Sequence, residues 1–375
     1  MTPSPKGCIV SIANDGSEFA CAEGYILDAA LAQGVHLPHS CRGGACGTCK
    51  ADIIEGAVDH GWVMSFAISE EEKAAGKCLI CVSRPLGERL VLRMHEAVSA
   101  SGDSLASIPA DYEARVVAAH AVTPRIRQIT VALPADSTFR FDAGQHVELL
   151  VDGIAPARPY SIATTPDASG AAPDGLLTLY VTRHAGGRAS NWLHENARVG
   201  GALRLRGPYG SFRLPARPAG EVVMLAGGSG LAPLLSMLRQ LLVGGHPGRV
   251  RLLFSVRAAE EVFALDELAA LERRHGNFTA RILVTRDGER LPEGWHGGRI
   301  PDHLARSGAD LRDARVLIAG SPSFVEACAR AASESGGSAE DIAVEAYEPR
   351  TAAPEADALS SRAALDSAPP PQSLW

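Results

Sequence analysis

The spacing of hydrophobic and polar positions changes twice along the chain and predicts three folded regions. In the first region, apolar residues alternate with polar ones over short stretches, and a helical spacing at 25–33 predicts a helix closed by Gly34. The predicted strands lie at 7–12, 18–21, 51–54 and 78–83. This region is therefore expected to be a small α+β unit.

The second region is a succession of short strands punctuated by glycine and proline. Its predicted strands lie at 113–118, 126–133, 146–151, 176–182 and 202–206. One predicted helix, at 189–195, interrupts them. Many short strands of this kind are typical of a closed antiparallel barrel.

In the third region, strands alternate with helices. The predicted strands lie at 221–226, 250–255, 280–283, 315–319 and 342–346, and the predicted helices at 231–242, 265–274 and 324–332. This alternation predicts a parallel sheet wrapped by helices.

Changes in composition mark the boundaries between the regions. A segment at 97–109, rich in alanine and serine, has the composition of a connection, and the C-terminal stretch, rich in alanine, proline and serine, is expected to be disordered. The predicted fold is multi-domain, α+β and α/β. Its parts are a first domain at 1–100, a linker at 101–111, a barrel at 112–215, a parallel-sheet domain at 216–348 and a tail at 349–375.

With 46% hydrophobic and 21% charged residues in 375 positions, the chain has the composition of a globular protein of two or three domains. No apolar run reaches the ~18 residues that span a membrane, and the N-terminal stretch lacks the apolar core of a secretory signal. We therefore expect a cytoplasmic protein with no membrane partner. A net charge of −7 and scattered lysines and arginines argue against a nucleic acid partner.

The cysteines are spaced like the ligands of a metal centre. Five of the eight cluster in one region, which indicates a metal site in a reducing compartment. Cys41, Cys46 and Cys49 follow the C-x4-C-x2-C spacing of a plant-type [2Fe–2S] site, whose fourth ligand would be Cys78 or Cys81. A zinc site is the alternative, but zinc ligands prefer paired short spacings. The isolated cysteines, expected in the core, are Cys8, Cys21 and Cys328.

Glycines such as Gly44 and Gly47 allow backbone N–H groups to approach a cluster where a Cβ would collide. The stretch resembles the plant-type ferredoxin domain, which has a β-grasp-like fold. In that family the last ligand is followed by three residues and a proline, a pattern that Cys81 and Pro85 match. The resemblance therefore implies Cys81 as the fourth ligand, with Cys78 as a packed neighbour.

Two short motifs in the second region carry groups suited to a flavin nucleotide. Arg158, Tyr160 and Ser161 place a cation, an aromatic ring and a hydroxyl in one strand-like segment. Gly187 and Ser190 stand at the start of a predicted helix, whose N-terminal N–H groups and dipole favour a diphosphate. Taken alone, the first motif is also an ordinary amphipathic pair and the second an ordinary N-cap.

Together with the Gly-Pro-Tyr-Gly-Ser-Phe stretch that follows, these motifs resemble the flavin-binding domain of the ferredoxin–NADP reductase family. The resemblance implies FAD, although a related branch of the family uses FMN. It implies that Arg158 pairs with the diphosphate, which Gly187 and Ser190 also hold. It assigns the catalytic contacts to Tyr160, packed on the isoalloxazine ring, and to Ser161, near the reactive nitrogen of that ring.

The third region opens with a strand, a glycine turn and an apolar helix, the order of a phosphate-binding βα unit. The turn contains Gly228 and Gly230, and Pro233 lies in the first turn of the helix. A lone glycine turn that departs from G-x-G-x-x-G is weak evidence by itself. In position it resembles the pyridine-nucleotide loop of the same reductase family. Gly320 similarly resembles the segment near the nicotinamide, and Tyr347 the closing aromatic strand.

Two positions bear on the donor nucleotide. The reductase family usually has a cysteine where this chain has Ala319, which predicts slower hydride transfer if that thiol seats the nicotinamide. Arg257 follows the second parallel strand, where the adenosine ribose is expected. There it would meet a 2′-phosphate or pack over adenine, and we expect NADH rather than NADPH.

The order of ferredoxin, flavin and nucleotide regions resembles that of the reductase components of multicomponent oxygenases. NAD(P)H gives up two electrons as hydride, a [2Fe–2S] cluster accepts one at a time, and a flavin converts between the two. We therefore expect an NADH-dependent reductase that passes electrons through FAD and the cluster to a terminal oxygenase, bound through a transient interface.

The resemblance puts a Rieske-type aromatic-ring-hydroxylating oxygenase first as the partner, and a diiron monooxygenase or a cytochrome P450 second. Two hypotheses of another class stand beside the reductase. One is a non-catalytic electron-transfer or redox-sensing subunit, which the alanine at 319 favours. The other is a zinc-organised binding protein.

Overall fold

The computed structural model describes the chain over residues 7–22, 24–39, 42–64, 67–95, 109–214, 220–286 and 291–347. The predicted tail at 349–375, most of the predicted linker at 101–111 and the predicted ligand Cys41 lie outside the described residues. Within the described stretches, no helix combines the length and the apolar character needed to cross a bilayer.

The first region folds around a five-stranded mixed sheet. In chain order its elements are β1 (Cys8–Ile12), β2 (Glu18–Cys21), α1 (Ile26–Ala32), β3 (Lys50–Asp59), α2 (Glu70–Ala74), β4 (Lys77–Leu79) and β5 (Arg84–Met94). The strand order is β2-β1-β5-β3-β4, with β1 parallel to β5 and the other pairs antiparallel. Val10, Ile26 and Leu92 lie in the fully buried core of this unit.

The predicted strand at 78–83 is wrong beyond Leu79. The chain turns there, with the N–H of Val82 donating to the Leu79 carbonyl at 3.1 Å, and Cys81 lies in the turn. All six residues are buried, and a buried turn cannot be told from a buried strand by its apolar pattern. Helix α2 was missed for the opposite reason, since none of its residues is buried.

The second region is a six-stranded antiparallel sheet that curls into a barrel, as predicted. Its elements are β6 (Ala110–Ala121), β7 (Ile126–Ala132), β8 (His146–Val151), β9 (Ile154–Ser161), β10 (Leu176–Thr182), α3 (Arg188–Asn196) and β11 (Ala202–Tyr209). The strand order is β10-β7-β6-β11-β8-β9, and the two edges meet at a bridge between Ile162 and Leu179. The sequence indicated a strand only at 158–161, whereas β9 begins at Ile154 and contains two prolines, which an edge strand tolerates.

The third region is a six-stranded parallel sheet with helices between its strands, also as predicted. Its elements are β12 (Glu221–Gly227), α4 (Leu231–Val243), β13 (Val250–Val256), α5 (Leu265–Arg274), β14 (Phe278–Val284), β15 (His296–Gly297), α6 (Ile300–Ser307), β16 (Ala314–Gly320), α7 (Pro322–Glu334) and β17 (Ile342–Ala346). The strand order is β15-β14-β13-β12-β16-β17. The sequence missed β15, which has two residues, and α6, which buries only Ile300 and Leu304.

Helix α4 joins the parallel sheet to the barrel. The Ser236 hydroxyl donates to the Thr164 carbonyl at 2.6 Å, and the Thr165 hydroxyl donates to the Ser236 carbonyl at 3.1 Å. Arg239 donates to the Ala163 carbonyl at 2.5 Å. Because these barrel residues come shortly after β9, the bonds hold the end of β9 beside the parallel sheet.

Candidate redox and nucleotide site

A cleft of about 750 Å³ opens between the barrel and the parallel sheet. Strands β12, β13, β16 and β17 end at this cleft, and ligands of open α/β sheets bind at the carboxyl ends of the strands. The cleft is lined by Gly228, Arg257, Gly320 and Tyr347, and the barrel contributes Thr182. The structure thus brings together four residues that the sequence predicted to bind cofactors: Gly228, Arg257 and Gly320 for the nucleotide, and Tyr347 as the closing aromatic residue.

Ser161 and Tyr347 connect the barrel to this cleft. Their hydroxyl groups hydrogen-bond at 2.9 Å, and the N–H of Tyr347 donates to the Gly320 carbonyl at 2.9 Å. Burial raises the pKa of the Tyr347 phenol well above its ordinary value, and burial also raises the pKa of Tyr160. Both phenols are therefore neutral at physiological pH.

The glycine turn after β12 packs closely against the end of the neighbouring strand β16 at Gly230. A Cβ on Gly230 would collide with the Ala319 carbonyl of the neighbouring strand β16, and one on Gly320 would lie 2.6 Å from the Phe324 ring. Pro233 is buried in the first turn of α4, which starts directly after the glycines. This close approach of backbones is what a phosphate-binding turn requires.

Arg257 and Glu261 both line the cleft, and their side chains form an ion pair. The Glu261 carboxylate accepts from the Arg257 backbone N–H at 3.2 Å and from its guanidinium at 3.2 Å. Nη1 of Arg125, from the barrel, lies 3.9 Å from the same carboxylate. Glu261 was missed from the sequence because it lies in a short turn after β13, and its spacing four residues beyond Arg257 was the available signal.

The residues predicted to hold the flavin diphosphate lie on β9 and at the start of α3, two elements in contact. Gly187 is the N-cap of α3, and a Cβ there would lie 2.5 Å from the Ser190 hydroxyl oxygen. Ser190 is buried and accepts a hydrogen bond from the N–H of His184 at 3.3 Å. Arg158 lies on β9, opposite Leu149 of β8. The N-terminal N–H groups of α3 and the arginine fit a diphosphate.

Three of the four predicted iron ligands lie within the described residues. The thiols of Cys49 and Cys81 hydrogen-bond, and this bond, together with burial, raises the pKa of Cys81 well above its ordinary value. Cys46 Sγ lies 3.2 Å from the Thr48 hydroxyl oxygen. Cys78 lies on β4, where burial raises the pKa of its thiol to about 12. Within the described part of the chain, no group of three histidine, cysteine or acidic side chains is placed to hold a single metal ion.

Glycine shapes the cluster loop, which comprises residues 39–49 and is described except at 40 and 41. Gly44 has a φ of +72°, and a Cβ there would lie 2.7 Å from the Trp62 carbonyl oxygen. Gly47 has a φ of +74°, and its Cβ would lie 3.3 Å from the Ala67 carbonyl oxygen. A loop that carries thiols and cannot accommodate side chains at its glycines fits an iron–sulfur cluster, which needs thiolates and close backbone N–H groups.

Three family models match successive parts of the chain. The 2Fe-2S iron-sulfur cluster binding domain matches residues 10–86, the oxidoreductase FAD-binding domain 113–214 and the oxidoreductase NAD-binding domain 224–330. The reductase component of propane 2-monooxygenase from Gordonia sp. (strain TY-5) is 33% identical over 306 residues, covering 80% of this chain and 86% of the relative. The chain belongs to the reductase components of oxygenase systems.

Another relative and a solved structure resemble this reductase over most of its length. The ferredoxin–NAD(+) reductase component of the alkene monooxygenase system from Xanthobacter autotrophicus (strain ATCC BAA-1158 / Py2) is 34% identical over 312 residues, 82% of this chain and 90% of the relative. The crystal structure of an Amycolatopsis cytochrome P450 reductase has a TM-score of 0.70 and 31% identity, covering 91% of this chain and 99% of that chain. These matches confirm an NAD(P)H-dependent oxidoreductase that uses FAD and a [2Fe–2S] cluster.

Proposed function

We propose that this reductase oxidises NADH and supplies single electrons to the terminal component of a monooxygenase system. A flavin bound by the barrel residues would supply the conversion between the hydride of NADH and the single electrons that an iron–sulfur cluster takes up. The observation that carries the proposal is the hydrogen bond between Ser161 and Tyr347. It joins the last residue of the predicted flavin strand to the nucleotide cleft, so the two binding sites share a boundary.

The proposed roles of the flavin residues follow from their charge and position. Arg158 and the N-terminal N–H groups of α3 bind the negative diphosphate. Tyr160 offers a neutral aromatic surface, because burial keeps its phenol protonated. The Ser161 hydroxyl, held by Tyr347, donates or accepts a hydrogen bond at the flavin without adding charge.

Glu261 supports NADH as the donor. Its carboxylate pairs with Arg257 and lies 3.9 Å from Nη1 of Arg125. The two guanidinium groups therefore share one carboxylate. A carboxylate accepts hydrogen bonds from ribose hydroxyls, whereas the 2′-phosphate of NADPH would be repelled by it and would compete for Arg257. This arrangement favours the nucleotide without the extra phosphate.

The partner class is proposed from the relatives and from the surface beside the cluster loop. The propane and alkene relatives are reductase components of monooxygenase systems, which supports a monooxygenase partner. The Rieske-type oxygenase that the sequence resemblance put first stays a prediction.

Trp62 is 52% exposed, and its carbonyl lies against Gly44 of the cluster loop. An exposed tryptophan is a common anchor of protein interfaces, which supports docking at this face.

The proposed function is tested with the loaded reductase and the monooxygenase and Rieske-type components encoded by the same organism. We expect NADH oxidation to be coupled to product formation with the monooxygenase. Trp62→Ala should slow this transfer and leave NADH-dependent ferricyanide reduction unchanged, whereas Val243→Ala, at another exposed apolar position, on α4, should change neither rate. Coupling to the Rieske-type component alone would overturn the partner class, and a preference for NADPH would overturn the donor.

A further inference from the structure

The outer face of the barrel beside the flavin strand is covered by the cluster loop. Glu148 of β8 lies opposite Pro159 of β9, in the middle of the predicted flavin motif. Side chains alternate along a strand, and the neighbours Val147 and Leu149 lie in the barrel core. Glu148 therefore lies on the outer face, yet it is 2% exposed. A charged side chain on an outer face is buried only where another part of the chain covers it.

Arg42 of the cluster loop, which follows the predicted ligand Cys41, covers Glu148. The guanidinium donates through Nη1 to Glu148 Oε1 and through Nη2 to Asp28 Oδ1, the latter at 2.7 Å. The side chains of Arg42 and Glu148 are 5% and 3% exposed. Burial raises the pKa of Glu148, and the arginine acts in the opposite direction. The charge of the carboxylate thus depends on its partner in the cluster loop.

Two further contacts join the cluster loop to the barrel. The rings of His39 and Tyr209 lie 4.7 Å apart between their centroids. The hydroxyl oxygens of Thr48 and Ser211 lie 2.5 Å apart, and the Thr48 hydroxyl also lies 3.2 Å from Cys46 Sγ. The predicted ligand Cys46 therefore lies between Arg42 and Thr48, two residues through which the loop contacts the barrel.

We propose that Glu148 is a positioning residue for the electron step from the flavin to the iron–sulfur cluster. This step, which belongs to the proposed function, moves one electron: the flavin is oxidised, the cluster is reduced, and no bond is formed or broken. Glu148 takes no part in the chemistry. It binds Arg42 and thereby holds this part of the cluster loop against β8, the strand next to the flavin motif. A hydrogen-bonded ion pair fixes direction as well as distance, whereas apolar contacts alone allow the loop to slide.

The test compares Glu148→Gln, which keeps the size and removes the charge, with Asp142→Asn, which removes the partner of Arg213 elsewhere on the barrel. The anaerobic holoenzyme is mixed with NADH, stopped-flow absorbance follows flavin reduction, and freeze-quench electron paramagnetic resonance follows cluster reduction. We expect unchanged flavin reduction in both variants. Cluster reduction should slow at least about tenfold in Glu148→Gln alone, because Arg42 then loses its charged partner on the barrel and the cluster loop is no longer held in one position.

Hydrogen–deuterium exchange at residues 42–49 of the holoenzyme gives a readout that does not depend on turnover. Exchange should be faster in Glu148→Gln than in the parent or in Asp142→Asn. Arg42→Lys keeps the charge but cannot bind both carboxylates in the same geometry, so it should show the same effects to a smaller degree. If Glu148→Gln does not fold, Arg42→Lys provides the test of the proposal.

The proposal would be overturned if these variants reduced the cluster and exchanged hydrogen at the same rates as the unsubstituted protein. Equal slowing of flavin and cluster reduction would also overturn it, because a general structural role would then explain the result. Since flavin reduction by NADH is measured separately from cluster reduction, either failure leaves the proposed donor and partner class unaffected.

Discussion

The Ser161 hydroxyl lies 2.9 Å from the Tyr347 hydroxyl, although the two residues are 186 positions apart in the chain. Tyr347 also donates its backbone N–H to the Gly320 carbonyl. The end of the flavin strand and the ends of the last two parallel strands therefore meet at one point. At this point the electron pair from the nucleotide would pass to the flavin.

Tyr347→Phe keeps the ring and removes the hydrogen bond to Ser161. A neutral hydrogen bond contributes about 0.5–1.5 kcal/mol, so flavin reduction by NADH should slow by roughly two- to tenfold. Stopped-flow absorbance of the holoenzyme measures this rate. FAD content and cluster reduction by dithionite serve as controls and should be unchanged. A parental rate would show that the hydroxyl contact does not position the flavin.

Glu261→Gln should weaken the discrimination between the two donors. Like charges placed side by side cost several kcal/mol, so removing the carboxylate should raise kcat/KM for NADPH at least about tenfold. Steady-state reduction of ferricyanide with each nucleotide measures the change. Glu260→Gln is the matched control, since Glu260 is the exposed neighbour in the same turn. Equal effects of the two substitutions would refute a specific role for Glu261.

Cys81→Ser should abolish the cluster and leave flavin reduction by NADH intact. Cys81 shares a hydrogen bond with the Cys49 thiol, whereas Cys78 lies within the sheet on β4. Cys78→Ser should therefore retain iron, at a cost in stability from a buried hydroxyl. Iron and acid-labile sulfide, measured together with the visible spectrum, distinguish the two variants. The assignment fails if Cys78→Ser is the one that loses the cluster.

Gly44→Ala should destabilise the cluster loop by more than the cost of placing an alanine at a left-handed φ. The φ of +72° costs a residue with a Cβ about 1–2 kcal/mol, and the Cβ would also lie 2.7 Å from the Trp62 carbonyl oxygen. Gly16→Ala is the control, because Gly16 has a φ of +77° with open space around it. Thermal unfolding and iron content measure both effects. If the two variants behave alike, the close approach at Gly44 has no consequence.

Local features of the fold could be predicted because they depend on residues a few positions apart. The cysteine spacing, the glycine turn before α4 and the alternation of strands and helices in the third region are of this kind. The errors have local causes too. The turn that carries Cys81 is as buried as a strand, and β9 contains prolines that its place at the sheet edge tolerates.

The sequence by itself determined the three folded regions and the types of group available to bind iron, flavin and nucleotide, because local spacing and residue chemistry set both. The tertiary structure decided which of these groups meet. Arg42 and Glu148 pair across 106 positions, and Glu261 lines the cleft beside Arg125, which comes from the barrel. Such pairings depend on how whole domains pack, which sums many weak contacts that no short stretch of sequence contains.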